Sequence, residues 1–178
     1  MRKLVILFLL VGMTTGQAQI IQLDEARVNA SSVKLNADGE LKFSVVESYS
    51  NEFVKNPIAF MKKNFDIQNF IDQMGSGSYD TYAVEFRNKK GHLTANFDNK
   101  GKLLGTAQDF RDIVVPLDVA RELVKNHKGW VMTKNRYLAS GKGDLIDKEL
   151  FRITLRNGED TRRIKIIPDR SSRGLASN

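Results

Sequence analysis

Residues 79–98, Y-D-T-Y-A-V-E-F-R-N-K-K-G-H-L-T-A-N-F-D, constrain the fold more than any other stretch of the chain. Tyr82, Val84 and Phe86 alternate with Ala83, Glu85 and Arg87. Beyond a Lys89-Lys90-Gly91 turn, Leu93, Ala95 and Phe97 alternate with His92, Thr94 and Asn96. Successive side chains of a strand point to opposite faces, so this period of two predicts a hairpin with one apolar and one wet face. The stretch Phe151-Arg-Ile-Thr-Leu-Arg-Asn-Gly158 repeats the pattern, with Phe151, Ile153, Leu155, Arg156 and Asn157 standing at a constant distance from Tyr82, Val84, Phe86, Arg87 and Asn88. A half-sheet used twice is expected.

The first residues read as an export signal over 1–18. Arg2 and Lys3 form a short positive end, Leu4 to Val11 is an unbroken apolar run, and Gly16-Gln17-Ala18 supplies small residues for cleavage before Gln19. The run is too short for a membrane anchor, which needs about 20 apolar residues. The expected mature chain therefore has no transmembrane segment, and its location is the periplasm, the cell surface or the medium. The absence of cysteine excludes disulfides, thiolate metal sites, cysteine nucleophiles and a lipidated cysteine. The net charge of +7 falls to +5 without Arg2 and Lys3, as 26 basic residues face 21 acidic ones. This mixed, moderately basic balance favours anionic surfaces or acidic partners and does not by itself argue for nucleic acid.

Residues 19–55 read as an N-terminal β-hairpin region. Ile20 to Val28 suits an edge strand, and Val33-Lys-Leu35 and Leu41 to Val46 flank the turn-forming Asn36-Ala-Asp-Gly39. From Asn56 to Phe70 the spacing turns helical, with Pro57 in the first turn and Ile58, Met61 and Phe65 on one side. Gly75-Ser-Gly-Ser78 is a flexible link. Lys102 to Phe110 returns as a third strand after an Asp98-Asn-Lys-Gly101 turn, which lacks the ligand pattern of a calcium loop. Val115 to His127 is the second helix, with Leu117, Ala120, Leu123 and Val124 as its buried stripe. Trp130 to Ala139 reads as a strand, Ser140 to Gly143 as a loop, and Lys148 to Asn157 with Asp160 to Ile167 as a hairpin turning at Asn157-Gly158. Residues 169–178 form a polar tail. The order proline, helix, strands thus occurs from Pro57 and again from Pro116, giving one unit over 56–112 and another over 113–168.

Little in the chain suggests catalysis. His92 and His127 lack partners at metal-ligand spacing, so no metal and no cofactor are expected. His127 suits a helix carboxyl end. There is no G-x-S-x-G elbow, no P-loop around Gly141-Lys-Gly143, and no His-x-Gly-His nucleotidyltransferase motif. Trp130 is expected to pack rather than stack a ligand. The most functional-looking surface is basic: Arg152, Arg156, Arg163 and Lys165 occupy outward positions of the last hairpin, joined by Arg87 if the two units pack side by side. These positions carry no interleaved aromatics, as a single-stranded nucleic-acid platform would. A protein of the envelope or exterior, or an anionic polymer, is the expected partner.

Tyr82-Ala-Val-Glu-Phe86 with Gly91, Phe97-Asp98 with Gly101-Lys102-Leu103, Val115-Pro116, Gly129-Trp130 and Phe151 to Gly158 together resemble the small secreted bacterial proteins of the PepSY-like, beta-lactamase-inhibitor-like group. The resemblance covers about Asn56 to Ile167. It implies an α+β fold: an antiparallel sheet with helices packed on one face, in two tandem PepSY-like helix-plus-sheet repeats after the N-terminal hairpin. It also implies an exported, non-catalytic binding or inhibitory module with no catalytic residue to carry over. An envelope-acting enzyme with a spatially assembled site and a structural surface protein are the alternatives.

Overall fold

The computed structural model describes residues 28–29, 40–74 and 79–168. Among these, eight strands form one sheet in strict chain order: β1 (Val28–Asn29), β2 (Glu40–Val45), β3 (Thr81–Asn88), β4 (Gly91–Asp98), β5 (Leu103–Arg111), β6 (Val131–Lys142), β7 (Lys148–Asn157) and β8 (Asp160–Ile166). All neighbouring pairs are antiparallel except β2 with β3, which run parallel from Glu40↔Ala83 to Ser44↔Arg87. A parallel pair needs a crossover of a dozen or more residues. Here it holds α1 (Ser50–Lys55), α2 (Pro57–Asn64) and α3 (Ile67–Met74). A fourth helix, α4 (Leu117–Asn126), joins β5 to β6. The chain is thus a mixed α+β protein with a mostly antiparallel sheet.

The alternation between Tyr79 and Asp98 forms β3 and β4, and Tyr82, Val84, Phe86, Leu93, Ala95 and Phe97 are all buried. They join one core cluster with Phe43 and Val45 of β2, Phe53 of α1, Phe60 and Met61 of α2, Ile71 of α3 and Phe110 of β5. Aromatic rings dominate it: Phe53 meets Phe60 and Phe110 edge-on at 5.3 and 5.4 Å, and Phe43 stacks on Phe86 at 5.3 Å. A second cluster unites Val119 of α4 with Phe151, Ile153, Leu155 and Ile166 of β7 and β8. Ile113 and Tyr137 pack against both clusters.

Several local expectations change. The helix expected over 56–70 is two helices. Asn56 caps α2 by accepting from the Ala59 N–H at 3.1 Å, and Asp66 caps α3 by accepting from the Gln68 and Asn69 N–H groups. Phe65, between them, is extended, with φ −139° and ψ 122°. The region 19–55 is not only β: a 3-10 turn over Glu47–Tyr49 and α1 follow β2, placing Phe53 in the core. The arm expected at 33–35, the edge strand before Val28, the export signal, the link 75–78 and the tail 169–178 lie outside the described residues.

In α4 the expected stripe is rotated. Leu117 and Val124 are 64% and 74% exposed, whereas Val119 is 1% exposed and Leu123 packs beside it. The helix begins at Leu117 after the extended Pro116, and Val119 and Leu123 lie one turn apart in the cluster that Val115 also joins. Leu117 then falls about 200° round from Val119, facing water. Asp118 in the first turn and Lys125 in the last complement the helix dipole. The backbone N–H of His127 closes the helix on Leu123 O, but its Nδ1 is buried without a hydrogen bond. The loop expected from Ser140 instead continues β6 to Lys142, because Ser140, Gly141 and Lys142 pair with Ala107, Thr106 and Gly105 of β5.

Candidate anion-binding face

Antiparallel residues in register share a sheet face, so pairing alone assembles the site. Arg111 of β5 lies opposite Arg136 of β6, Arg136 opposite Arg152 of β7, and Arg152 opposite Lys165 of β8. Four cations from four consecutive strands therefore stand in one row. Two residues along, Lys134, Thr154 and Arg163 form a parallel row. Both rows line an open depression of about 660 Å³, with Asp112 and Asn135 at one side.

Asn135 is a structural part of that rim. Its side chain accepts from the Ile113 N–H at 3.2 Å and donates to Ile113 O at 2.8 Å, tying the exit of β5 to β6. Asp112, at φ 51°, reciprocates by accepting from the Asn135 N–H at 3.1 Å.

One of the four row cations is neutralised. Arg136 donates from Nε to Asp109 at 2.8 Å and from its terminal nitrogen to the other carboxylate oxygen. Among the described residues, Arg111, Lys134, Arg152, Arg163 and Lys165 form no salt bridge and donate no side-chain hydrogen bond. All five are exposed.

The fork of Arg136 holds the Asp109 carboxyl below the usual carboxylate range, with His92 and Arg111 adding attraction and partial burial opposing it. Because the folded pKa lies below the unfolded one, the pair stabilises above about pH 4, and that stability is lost as pH falls through the lower, folded value. Asp109→Asn should cost about 1 kcal/mol at neutral pH, a modest amount because the Arg136 side chain is 41% exposed. Denaturant titrations of both proteins should show that gap closing below about pH 4; a gap independent of pH would refute the ionic account.

The residues expected at the site divide. Arg152, Arg163 and Lys165 come together in the depression. Arg156 lies on the same face but at its hairpin end, donating from Nε to Gly158 O at 2.8 Å. Arg87 is not brought to them. It shares the face, three strands away from Arg136, and pairs with Glu85 at 2.9 Å beside a separate small pocket. In place of Arg87, the structure brings Arg111, Arg136 and Lys134. Alternation along β6 marks Lys134 and Arg136 as outward, but only the strand order shows that they meet the last hairpin.

His92 is paired in register with Asp109, whose carboxylate is held by Arg136. Ser140 and His92 line a second depression, together with Leu138 and Leu150. Ser140 stands two strands and two residues from His92, roughly 12 Å between backbone positions at ordinary sheet spacings. Asp98 accepts from the Lys100 and Lys102 N–H groups, as a turn does. Among the described residues no three metal-ligating side chains cluster, and no helix is long and apolar enough to cross a membrane. Trp130 packs on the second core cluster with Arg162 over its ring at 4.8 Å. No protein-family model, curated protein or solved structure matches the chain.

Proposed function

We propose that this chain is an exported, non-catalytic binding module of the cell envelope that holds an anionic partner on the wet face of β5–β8. The carrying observation is the row Arg111–Arg136–Arg152–Lys165. Like charges directly opposite on a sheet destabilise it, so a row of four cations, of which only Arg136 is paired with a carboxylate, is costly to folding and favourable to an anion.

The tandem reading supports this role. One unit runs from the helices before β3 through β5, and the next from α4 through β8. Tyr82, Val84 and Phe86 correspond to Phe151, Ile153 and Leu155, and all six are buried. In this reading the helices of both units cover one face of a shared sheet, and the other face is left to the partner. The resemblance to PepSY-like, inhibitor-like proteins and the apolar leader over 4–11 favour an exported binder.

The test is cosedimentation of the purified protein with isolated cell envelopes. Reversing Arg152, Arg156 and Arg163 to glutamate should weaken retention by at least about a hundredfold at low salt, as three lost phosphate- or carboxylate-type contacts would. The circular dichroism spectrum should not change. Unchanged retention would remove the basic face from the function.

A further inference from the structure

The geometry of the cation row points to a particular ligand: we infer a linear polysaccharide carrying a carboxylate on each sugar, laid across strands β5 to β8. The inference rests on the anion-binding reading above and specifies its ligand. Its cations are set by strand spacing, about 4.8 Å from one to the next. Four of them span roughly 14 Å at right angles to the strands. A polyuronate repeats its charge once per pyranose ring and glycosidic oxygen, a length of the same order. Adjacent rings turn their carboxylates to different sides, so alternate carboxylates meet alternate strands, as at Arg111 and Arg152 on either side of the occupied Arg136.

Three competing ligands fit less well. A compact anion such as phosphate would engage one or two cations and leave the rest of the row opposed and unpaired. A single-stranded nucleic acid would need aromatic platforms, and the row and its two neighbours (Lys134–Thr154–Arg163 and Asp109–Leu138–Leu150) contain none. An acidic protein strand repeats same-face carboxylates every second residue, about 6.8 Å apart, out of step with the row. Protein partners also rely on buried anchors in pockets, whereas this surface is open and its unpaired cations are all exposed. The neighbouring row adds apolar side chains, Leu138 and Leu150, against which the C–H faces of sugar rings can lie.

The neighbouring row supplies a brake. Asp109 occupies Arg136, so removing that carboxylate should improve the site.

Calorimetric titration of the purified protein with galacturonate oligomers, polygalacturonate, poly-L-glutamate and inorganic phosphate tests this directly. Affinity should climb with oligomer length until the chain spans four strands and then level off. Arg111→Gln, Arg152→Gln and Lys165→Gln should each weaken polygalacturonate about three- to tenfold, and each should remove about one contact from the salt dependence. Asp109→Asn should tighten it. Arg152→Gln combined with Ser140→Arg, which keeps the net charge but moves it off the row, should stay weak. If poly-L-glutamate binds as well at equal charge, if a monomer or phosphate already gives full affinity, or if the relocated charge restores binding, the polysaccharide row is rejected and the basic-face reading stands. If none of the anions binds the unaltered protein, both fall.

Discussion

Phe53→Ala should lower the free energy of unfolding by about 3–5 kcal/mol, the range for a fully buried phenylalanine. Phe53 has no exposed surface, and it joins three elements: α1, which carries it, α2 through Phe60, and β5 through Phe110. Truncation leaves a cavity whose walls belong to a helix pair and a sheet, which cannot close on it together. Two edge-to-face contacts disappear as well, each worth about 0.5–1.5 kcal/mol beyond buried area. Urea unfolding followed by Trp130 fluorescence is informative, because Trp130 sits on the other cluster. Ile113, Tyr137 and a continuous sheet link the clusters, so the Trp130 transition should shift by the full amount. A Trp130 midpoint that does not move would show two independent folding units.

Gly91→Ala is expected to be nearly as disruptive, at or above the upper end of the ~1–3 kcal/mol that overpacking costs. A Cβ at Gly91 would lie 2.7 Å from Phe110 Cα and closer still to the carbonyl oxygen of Asp109. These are backbone atoms of the neighbouring strand, with no rotamer to change. Relief requires parting β4 from β5 beside the turn where Arg111 N–H meets Lys90 O at 2.7 Å. Amide exchange across β4 and β5 should accelerate before that across β7 and β8. Equal protection in all four strands would refute this account.

Gly91 also shows how far the sequence can be read. Its position after Lys89-Lys90 marked the central hairpin correctly, since period-two alternation is a local property that survives folding. Lys148–Asn157 was equally legible, with Asn157-Gly158 supplying the turn. Phe53 was not, because α1 is six residues long, too short for a helical period to show. The break between α2 and α3 was signalled by Asp66, a capping residue within an apolar pattern that reads as continuous. The stripe of α4 failed because a rotation of one residue changes which leucine or valine faces inward, and only packing settles that rotation. For the site, Arg152, Arg163 and Lys165 followed from alternation within one hairpin. Arg111 and Arg136 needed the order of strands, which no local pattern contains, and the same order sets Arg87 on the shared face but away from the depression.

That order has a consequence for assembly. From β3 onward every strand pairs with the one just made, across connections of a few residues except where α4 intervenes. Each step closes a short loop at small entropic expense, so this part of the sheet can be zipped in the direction of synthesis. Strand β2 is the exception. It meets β3 side by side only across an interval of 35 residues that carries α1, α2 and α3. The pairing of β2 with β3 is therefore expected late, with the rings of Phe43, Phe65 and Phe86 meeting once the helices are in place.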